Sequence, residues 1–554
     1  MKKLKFVLTM VVLCYTYVDA LTQNCNLPSA AAFTQSNNIS ARILNGGDLF
    51  TNFNTGRGQF IPSPDPTNPS SVATIYSAGL WMGGIDLNGN LKLAAVDYRS
   101  SGKGDYSAGP LDQNGLTDAS NCSNWDKVFR AALPLTEDDA IAQFPSIMGW
   151  PGGGNPHFSL LNGFDISLNE PNLAPFVDTD GDGLYKPLNG DYPAVLLKGQ
   201  SPFSPAEIIW CVFNDHKGGA PHSETAGKPF NAEIQLTVWT MTSQAYPVLN
   251  NTVFTSHKII NRGTEITDST FIGLWADIDL GCYIDDYIGS NPELNAFFAY
   301  NQDMIDGNLG NTCQGTSTFP DIAPVQSVTM LGQSMDRFSY FNGESSVPGI
   351  TPPNGPLEYY RVLSGSWRDG SPITDGTIGY GGNTPVTHVF PDDPSDASGW
   401  SMCTANIASA DRQVLALHKI GTLYPGQIEE LTAAWSVHYI TESPCSLGNT
   451  FTEIQTITDI YENGFSNLSK VHELAQLNFI LLPNPGSDKI ICKYGDLKVN
   501  EIRIYNAGGK LMESMRDLDS GQTMLDVSTF AKRIYIVQII GAEGIGAQKI
   551  SVVR

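Results

Sequence analysis

From Leu481 to Arg554 the chain alternates between apolar and polar residues and turns so often that only a small antiparallel β fold accommodates it. LLPNPGSDKIICKY opens on a Pro483-Asn484-Pro485 turn and runs on as an alternating strand. EIRIYNAGGKLMES reads as two strands around Gly508-Gly509, TMLDVSTF and RIYIVQII follow, and QKISVVR closes the segment. About six or seven short strands with turn signals between them predict an immunoglobulin-like β-sandwich. Cys492 alternates onto the same strand face as Ile490 and Tyr494, which predicts a buried thiol.

The longer part of the chain carries the same period. In AEIQLTVWTM, Ile234, Leu236 and Val238 alternate with polar or aromatic residues. VFTSHKIINRGTEITDSTFIGLWADID reads as two strands with a turn at Asn261-Arg262-Gly263, and VLALHKIGTLYPGQIEELTAAWSVHYI as two more around Pro425-Gly426. YSAGLWMGGIDLNGNLKLAAVDYR is a hairpin pattern with Asn88-Gly89 in its turn. In TEIQTITDIYENGF the spacing of Ile454, Ile457, Ile460 and Tyr461 predicts one face of a short helix. The expected fold is mainly β and multi-domain. A signal peptide occupies 1–20, a β-rich region with an Asp-rich loop 21–200, a sandwich-like region 201–447, a short helix and linker 448–480, and the terminal sandwich 481–554.

The N-terminus fits a secretory signal: Lys2, Lys3 and Lys5, an apolar run from Phe6 to Val18, and the small Ala20 at the cleavage point. No later apolar run is long enough for a transmembrane helix. The formal net charge of -24 is concentrated ahead of the terminal segment, where it disfavours nucleic acid as a partner and suits cations. Beyond the signal lie Cys25, Cys122, Cys211, Cys282, Cys313, Cys403, Cys445 and Cys492, without a CxxC pair. An exported chain permits disulfides, but the pairing is open; with Cys492 set aside the count is odd, so a further free thiol is expected.

The terminal segment also resembles a known family. Pro483-Asn484-Pro485, Ile504-Tyr505 with Gly509-Lys510, Asp526 in LDVS, Ile534-Tyr535 and the closing run from Lys549 are similar to the type A C-terminal sorting domain of the type IX secretion system of Bacteroidetes. The resemblance implies export of a folded passenger by the type IX machinery, removal of the domain, and release or attachment to surface lipopolysaccharide. Upstream, Asn45-Gly46-Gly47-Asp48, Gly79 to Gly84, Phe213-Asn214-Asp215, Ile260-Asn261-Arg262, Asp411-Arg412 and Tyr424-Pro425-Gly426 resemble, in this order, large passengers of that system. That likeness implies location and architecture, not chemistry.

Three clusters carry candidate chemistry. DTDGDGLYKPLNGDYP places Asp178, Asp180 and Asp182 at alternate positions before Gly183, with the Leu184 carbonyl next, which is how a loop gathers oxygen ligands for Ca2+. Asn189 stands where an EF-hand has its bidentate Glu, and Pro187 opposes the following helix, so an isolated structural calcium loop is expected, closed by Asn189 or Asp191. The alternative is an Asp-Gly turn without metal. Asp277, Asp279, Asp285 and Asp286 form a second acidic group that suits a calcium site, turn capping, or a general acid and base. Asp215, His216, His222 and Glu224 offer imidazole and carboxylate to a cation, against the simpler reading of a polar loop. GxSxG, phosphate-loop and dinucleotide motifs are missing from the sequence. The expectation is a non-enzymatic structural or adhesive passenger; the alternative is an extracellular hydrolase acting on polysaccharide through Asp carboxylates.

Overall fold

The computed structural model describes residues 25–553 except 63–71, 134–144, 167–172, 218–219, 308–312, 314–316, 442–444, 466–477, 507–510, 517, 519–520 and 542–543. The expected signal peptide and Gly509-Lys510 lie outside the described residues.

Strands dominate, as the alternation requires, and most of the body's strands join two antiparallel sheets. The first runs Ala31–Phe33, Ile39–Leu44, Asp48–Leu49, Ser77–Asp86, Thr267–Asp277, Gln413–Leu423, Arg337–Phe341. The second runs Phe129–Ala132, Glu207–Asn214, Ala232–Thr240, Thr252–Asn261, Ile428–His438, Val325–Leu331, Ala296–Asn301, Asp286–Asn291. Leu80, Met82, Ile272, Leu274 and Val414 of the first sheet share one buried core with Leu236, Val238, Val253, Leu431 and Trp435 of the second. The two therefore pack face to face.

Each sheet is also covered on its outer face. Trp81, Trp275, Leu415 and Leu417 pack under Tyr359, Val362 and Leu363 of the helix Pro356–Leu363. Trp210, Trp239 and Phe254 pack with Ile457, Ile460 and Tyr461 of the helix Thr450–Glu462. Double coverage explains why Glu207–Asn214, written EIIWCVFN, is buried at every position rather than at alternate ones.

Two features of the strand pairing go beyond the sequence reading. The regions 21–200 and 201–447 do not fold apart, because Ser77–Asp86 pairs directly with Thr267–Asp277 and Phe129–Ala132 with Glu207–Asn214. And the consecutive strands 252–261 and 267–277 belong to opposite sheets, as do 413–423 and 428–438. Their connections cross the edge of the sandwich side by side and are joined at Asn261. Its amide donates to the Gln427 carbonyl (3.0 Å), its carbonyl accepts from Gly426 (2.8 Å), and its side chain donates to the Tyr424 carbonyl (3.0 Å). The Asn88-Gly89 hairpin forms as expected, with Asp86 accepting from the amides of Asn88 and Asn90.

Disulfides join Cys25–Cys122, Cys282–Cys313 and Cys403–Cys445, while Cys211 and Cys492 are free and buried. Burial pushes the Cys211 thiol far up and that of Cys492 up to about 12, so neither is a nucleophile at neutral pH.

The terminal segment has its own core. A three-stranded sheet, Ile480–Leu482, Lys489–Lys493, Gln522–Asp526, accompanies a four-stranded one, Leu511–Met515, Val499–Asn506, Ile534–Gly541, Gly544–Ser551. Ile490, Cys492 and Leu525 of the first meet Ile502, Ile504 and Val537 of the second.

Candidate metal centres and the sorting domain

The Asp-rich loop brings carboxylate oxygens of Asp178, Asp180 and Asp182 within 4.8 Å of one another at the surface. Asp178 accepts from the amides of Gly181 (2.9 Å) and Gly183 (2.8 Å), and Asp182 from that of Leu184 (2.9 Å). The turn needs both glycines, whose φ values are 74° and 78°. Asn189 stands beside the cluster and donates its side-chain amide to Asp180 at 2.7 Å. Lys186 pairs with Asp182, and its hydrogen bond holds that carboxyl below the usual range. Asp191 is brought near but spent otherwise: buried, it accepts from the amides of Thr179 (2.8 Å) and Lys186 (2.7 Å) and clamps the loop's two arms together.

The second acidic group divides. Asp277 and Asp279 converge with Asp411, which precedes Gln413–Leu423, and carboxylate oxygens of the three lie within 4.8 Å of one another. Asp277 accepts from the Tyr98 hydroxyl at 2.7 Å, and Asp411 from the Gln413 side chain at 2.7 Å. Burial, then the charge of Asp411, pushes Asp277 up to about 7; burial and the charges of Asp277, Asp411 and Asp286 push Asp279 well up. Asp285 instead meets Asp306 beside Cys282. That sulfur is tied to Cys313 and is no thiolate ligand. Asp306 accepts from the amides of Cys282 (2.9 Å) and Phe319 (2.5 Å), Asp285 from Gly307 (2.6 Å), and Asp286 from Leu280 (2.9 Å), so this half serves to hold turns. Burial raises Asp285 and Asp286 and takes Asp306 up to about 6.

Among the described residues, Asp215, His216, His222 and Glu224 do not converge as one cation cluster. The ring nitrogens of His222 meet the carbonyls of Leu93 (2.5 Å) and Asp215 (2.7 Å). Asp215 accepts from the amides of Phe230 and Ala232, both at 2.6 Å. His216 faces Asn231 at 3.1 Å, and Glu224 accepts from the Tyr359 hydroxyl at 3.0 Å. Burial raises Glu224 to about 7. His222 and Asp215 are thus committed to backbone partners, whereas His216 and Glu224 meet side chains, and the loop ties the first sheet to the second. The sequence missed its hub, Asp105, which accepts from the amides of Ala95 (3.1 Å), Glu224 (2.8 Å) and Thr225 (3.2 Å).

A cleft of about 530 Å³ is lined by His157, Lys186, Asn189, Gln548 and Lys549 with neighbouring apolar residues. No carboxylate is among these lining residues, so the cleft lacks the carboxylate pair of glycoside hydrolysis.

In the terminal segment, Asn484 ties the opening turn to the last strand: its side chain donates to the Lys549 carbonyl (2.6 Å) and accepts from the Ser551 amide (3.0 Å). Pro483 and Pro485 flank it, each after a cis peptide bond. Asp526 accepts from Ser528 (2.9 Å), the Tyr535 hydroxyl donates to the Ala531 carbonyl (3.0 Å), and Tyr505 is buried. The family described as a secretion system C-terminal sorting domain matches residues 481–553. This segment is a type IX sorting domain. The sorting domain directs the chain to the cell surface or beyond it, and implies contact with the type IX machinery. Among the described residues, no helix is long and apolar enough to cross a membrane.

No curated protein matches the chain. Among solved structures, one described as a polysaccharide lyase aligns at 7% identity with a TM-score of 0.17, over 68% of this chain and 38% of the other. The chain thus spans well under half the length of that structure.

Proposed function

We propose that the chain is a secreted or surface-held passenger of a Bacteroidetes type IX system, with a non-enzymatic structural or adhesive body stiffened by Ca2+. In this reading residues 1–20 are the signal peptide, the sorting domain is removed after export, and the body is released or joined to surface lipopolysaccharide. The observation that carries the calcium part is the convergence of Asp178, Asp180 and Asp182 on one exposed point of a clamped loop. A hard cation takes carboxylate and carbonyl oxygens, and here Asn189 and the Leu184 carbonyl lie next to the three acids in the chain. The structural part is supported by how the body uses its acids: Asp86, Asp105, Asp191, Asp215 and Asp306 each cap backbone amides.

Thermal melting of the full chain with and without a calcium chelator tests the reading. Chelation should lower the melting temperature, since a ligand bound only to the folded state stabilises it. An unchanged melt removes calcium from the account.

The alternative, an extracellular hydrolase acting on polysaccharide, rests on the closeness of Asp277, Asp279 and Asp411, since paired carboxylates serve glycoside hydrolysis. Release of reducing ends from acidic and neutral polysaccharides by the wild type, lost in D277N, would decide for it.

A further inference from the structure

We propose that Asp277, Asp279 and Asp411 form a second, internal site for a hard divalent cation, distinct from the surface loop. Strand register creates the group. Thr267–Asp277 pairs antiparallel with Gln413–Leu423, and the last pair is Asp277 with Gln413. Continuing that register by two residues sets Asp279 opposite Asp411. Alternation places Asp277 and Asp279 on the same face as Trp275, at the end of the aromatic row on the outer side of the first sheet.

Charge then makes a demand. Like charges directly opposed across strands repel, and burial strengthens the repulsion. Asp277 is 5% exposed, and Asp279 and Asp411 are half-buried. Among the described residues, no lysine or arginine forms an ion pair with any of the three. The adjacent Arg412 donates to the Ala408 carbonyl at 2.6 Å and lies over the Tyr340 ring, so its charge reaches Asp411 without an ion pair. Buried acids without a direct basic partner call for a proton or a metal ion.

A separate observation points to the metal ion. Asp277 Oδ2 accepts from Tyr98, while Oδ1, buried in the same carboxylate, has no hydrogen-bond partner, a property it shares with Oδ1 of Asp285 and of Asp286. Native structures leave few buried oxygens unmatched, and a bound ion is one standard reason. Spacing agrees: two oxygens that each sit 2.3–2.6 Å from one Ca2+ are at most about 5 Å apart, and these lie within 4.8 Å. The all-oxygen donor set favours Ca2+ over zinc or copper. Asp285 and Asp306 make the weaker case, since both Asp306 oxygens already accept from backbone amides.

The test uses the full chain, stripped with chelator and titrated with CaCl2 by calorimetry. In parallel, Tb3+ is added and its emission excited through tyrosine and tryptophan; Tyr98 packs 5.1 Å from Trp275 and contacts Asp277 directly. D411N should lose one equivalent of bound calcium together with the Tb3+ emission that equivalent carries. The triple variant D178N/D180N/D182N should keep both, so failure of the surface loop and failure of the internal site read out separately. If D411N does not fold, D279N takes its place, its side chain being half-buried. A D411N or D279N protein that binds as many equivalents as wild type, equally tightly, overturns the proposal. So does a wild type whose calcium binding is abolished entirely by the loop variant.

Discussion

Asp279 and Asp411 confront one another just past the point where two neighbouring strands stop pairing, each a carboxylate and neither matched to a base. Such a pair is tolerable in the presence of a cation and costly without one. Neutralising one acid should therefore act with opposite sign under the two conditions. In chelator at alkaline pH, where both acids are charged, D279N should raise the melting temperature, by relief of about 1 kcal/mol of cross-strand repulsion; in millimolar calcium it should lower it. Melts shifted the same way in both buffers would show that no ion responds to this pair.

His257 supplies a pH-dependent term unrelated to any metal. It is fully buried in Thr252–Asn261, and burial holds its imidazole down at about 4. The unfolded chain takes up the proton near pH 6.5, the folded one only near 4, so between those values the unfolded state binds more protons. Stability must fall as pH drops through that window, by about 3 kcal/mol in total, and is unaffected by this residue above it. Comparing melting temperatures of wild type and H257L at pH 7 and pH 4.5 checks this. The variant should lose less on acidification; parallel losses would mean that His257 does not titrate as its burial requires.

Gly281 has a φ of 76°, and a Cβ at this position would collide with Asp306 Oδ2. G281A therefore combines left-handed strain with displacement of the carboxylate that holds the amides of Cys282 and Phe319. A loss of about 1–3 kcal/mol is expected, read as a lowered denaturation midpoint. D306N, which keeps the side chain's shape, should be milder. Equal midpoints for G281A and wild type would show that the turn relaxes freely.

N484A removes both bonds from the opening turn of the sorting domain to its last strand. Each is worth about 1 kcal/mol net. The domain should become more open to limited proteolysis than the body, with the body's fragment unchanged. Uniform sensitivity along the chain would contradict an independent core for residues 481–553.

Much of this architecture is readable from the sequence. Ile234, Leu236 and Val238 do face the core, the helix Thr450–Glu462 buries Ile454, Ile457, Ile460 and Tyr461, and Cys492 is a buried thiol. Alternation reports that a strand has two faces but not which sheet it joins. That is why the turns after Asn261 and Leu423 resemble hairpins in sequence yet carry the chain from one sheet to the other. The acidic site suffered from the same limit. Asp277 and Asp279 are conspicuous, whereas Asp411 is distant in sequence and reaches them only through strand register. Asp285 and Asp286, close in sequence, were drawn aside into turns.

The three disulfides among the described residues lie within residues 25–445, and the sorting domain's single cysteine is unbonded. No covalent thread other than the backbone connects the body to its export signal among the described residues. One peptide cleavage between Phe465 and Phe479 thus severs the last covalent link between them, without any reductant, and leaves the body with every disulfide it had before the cut.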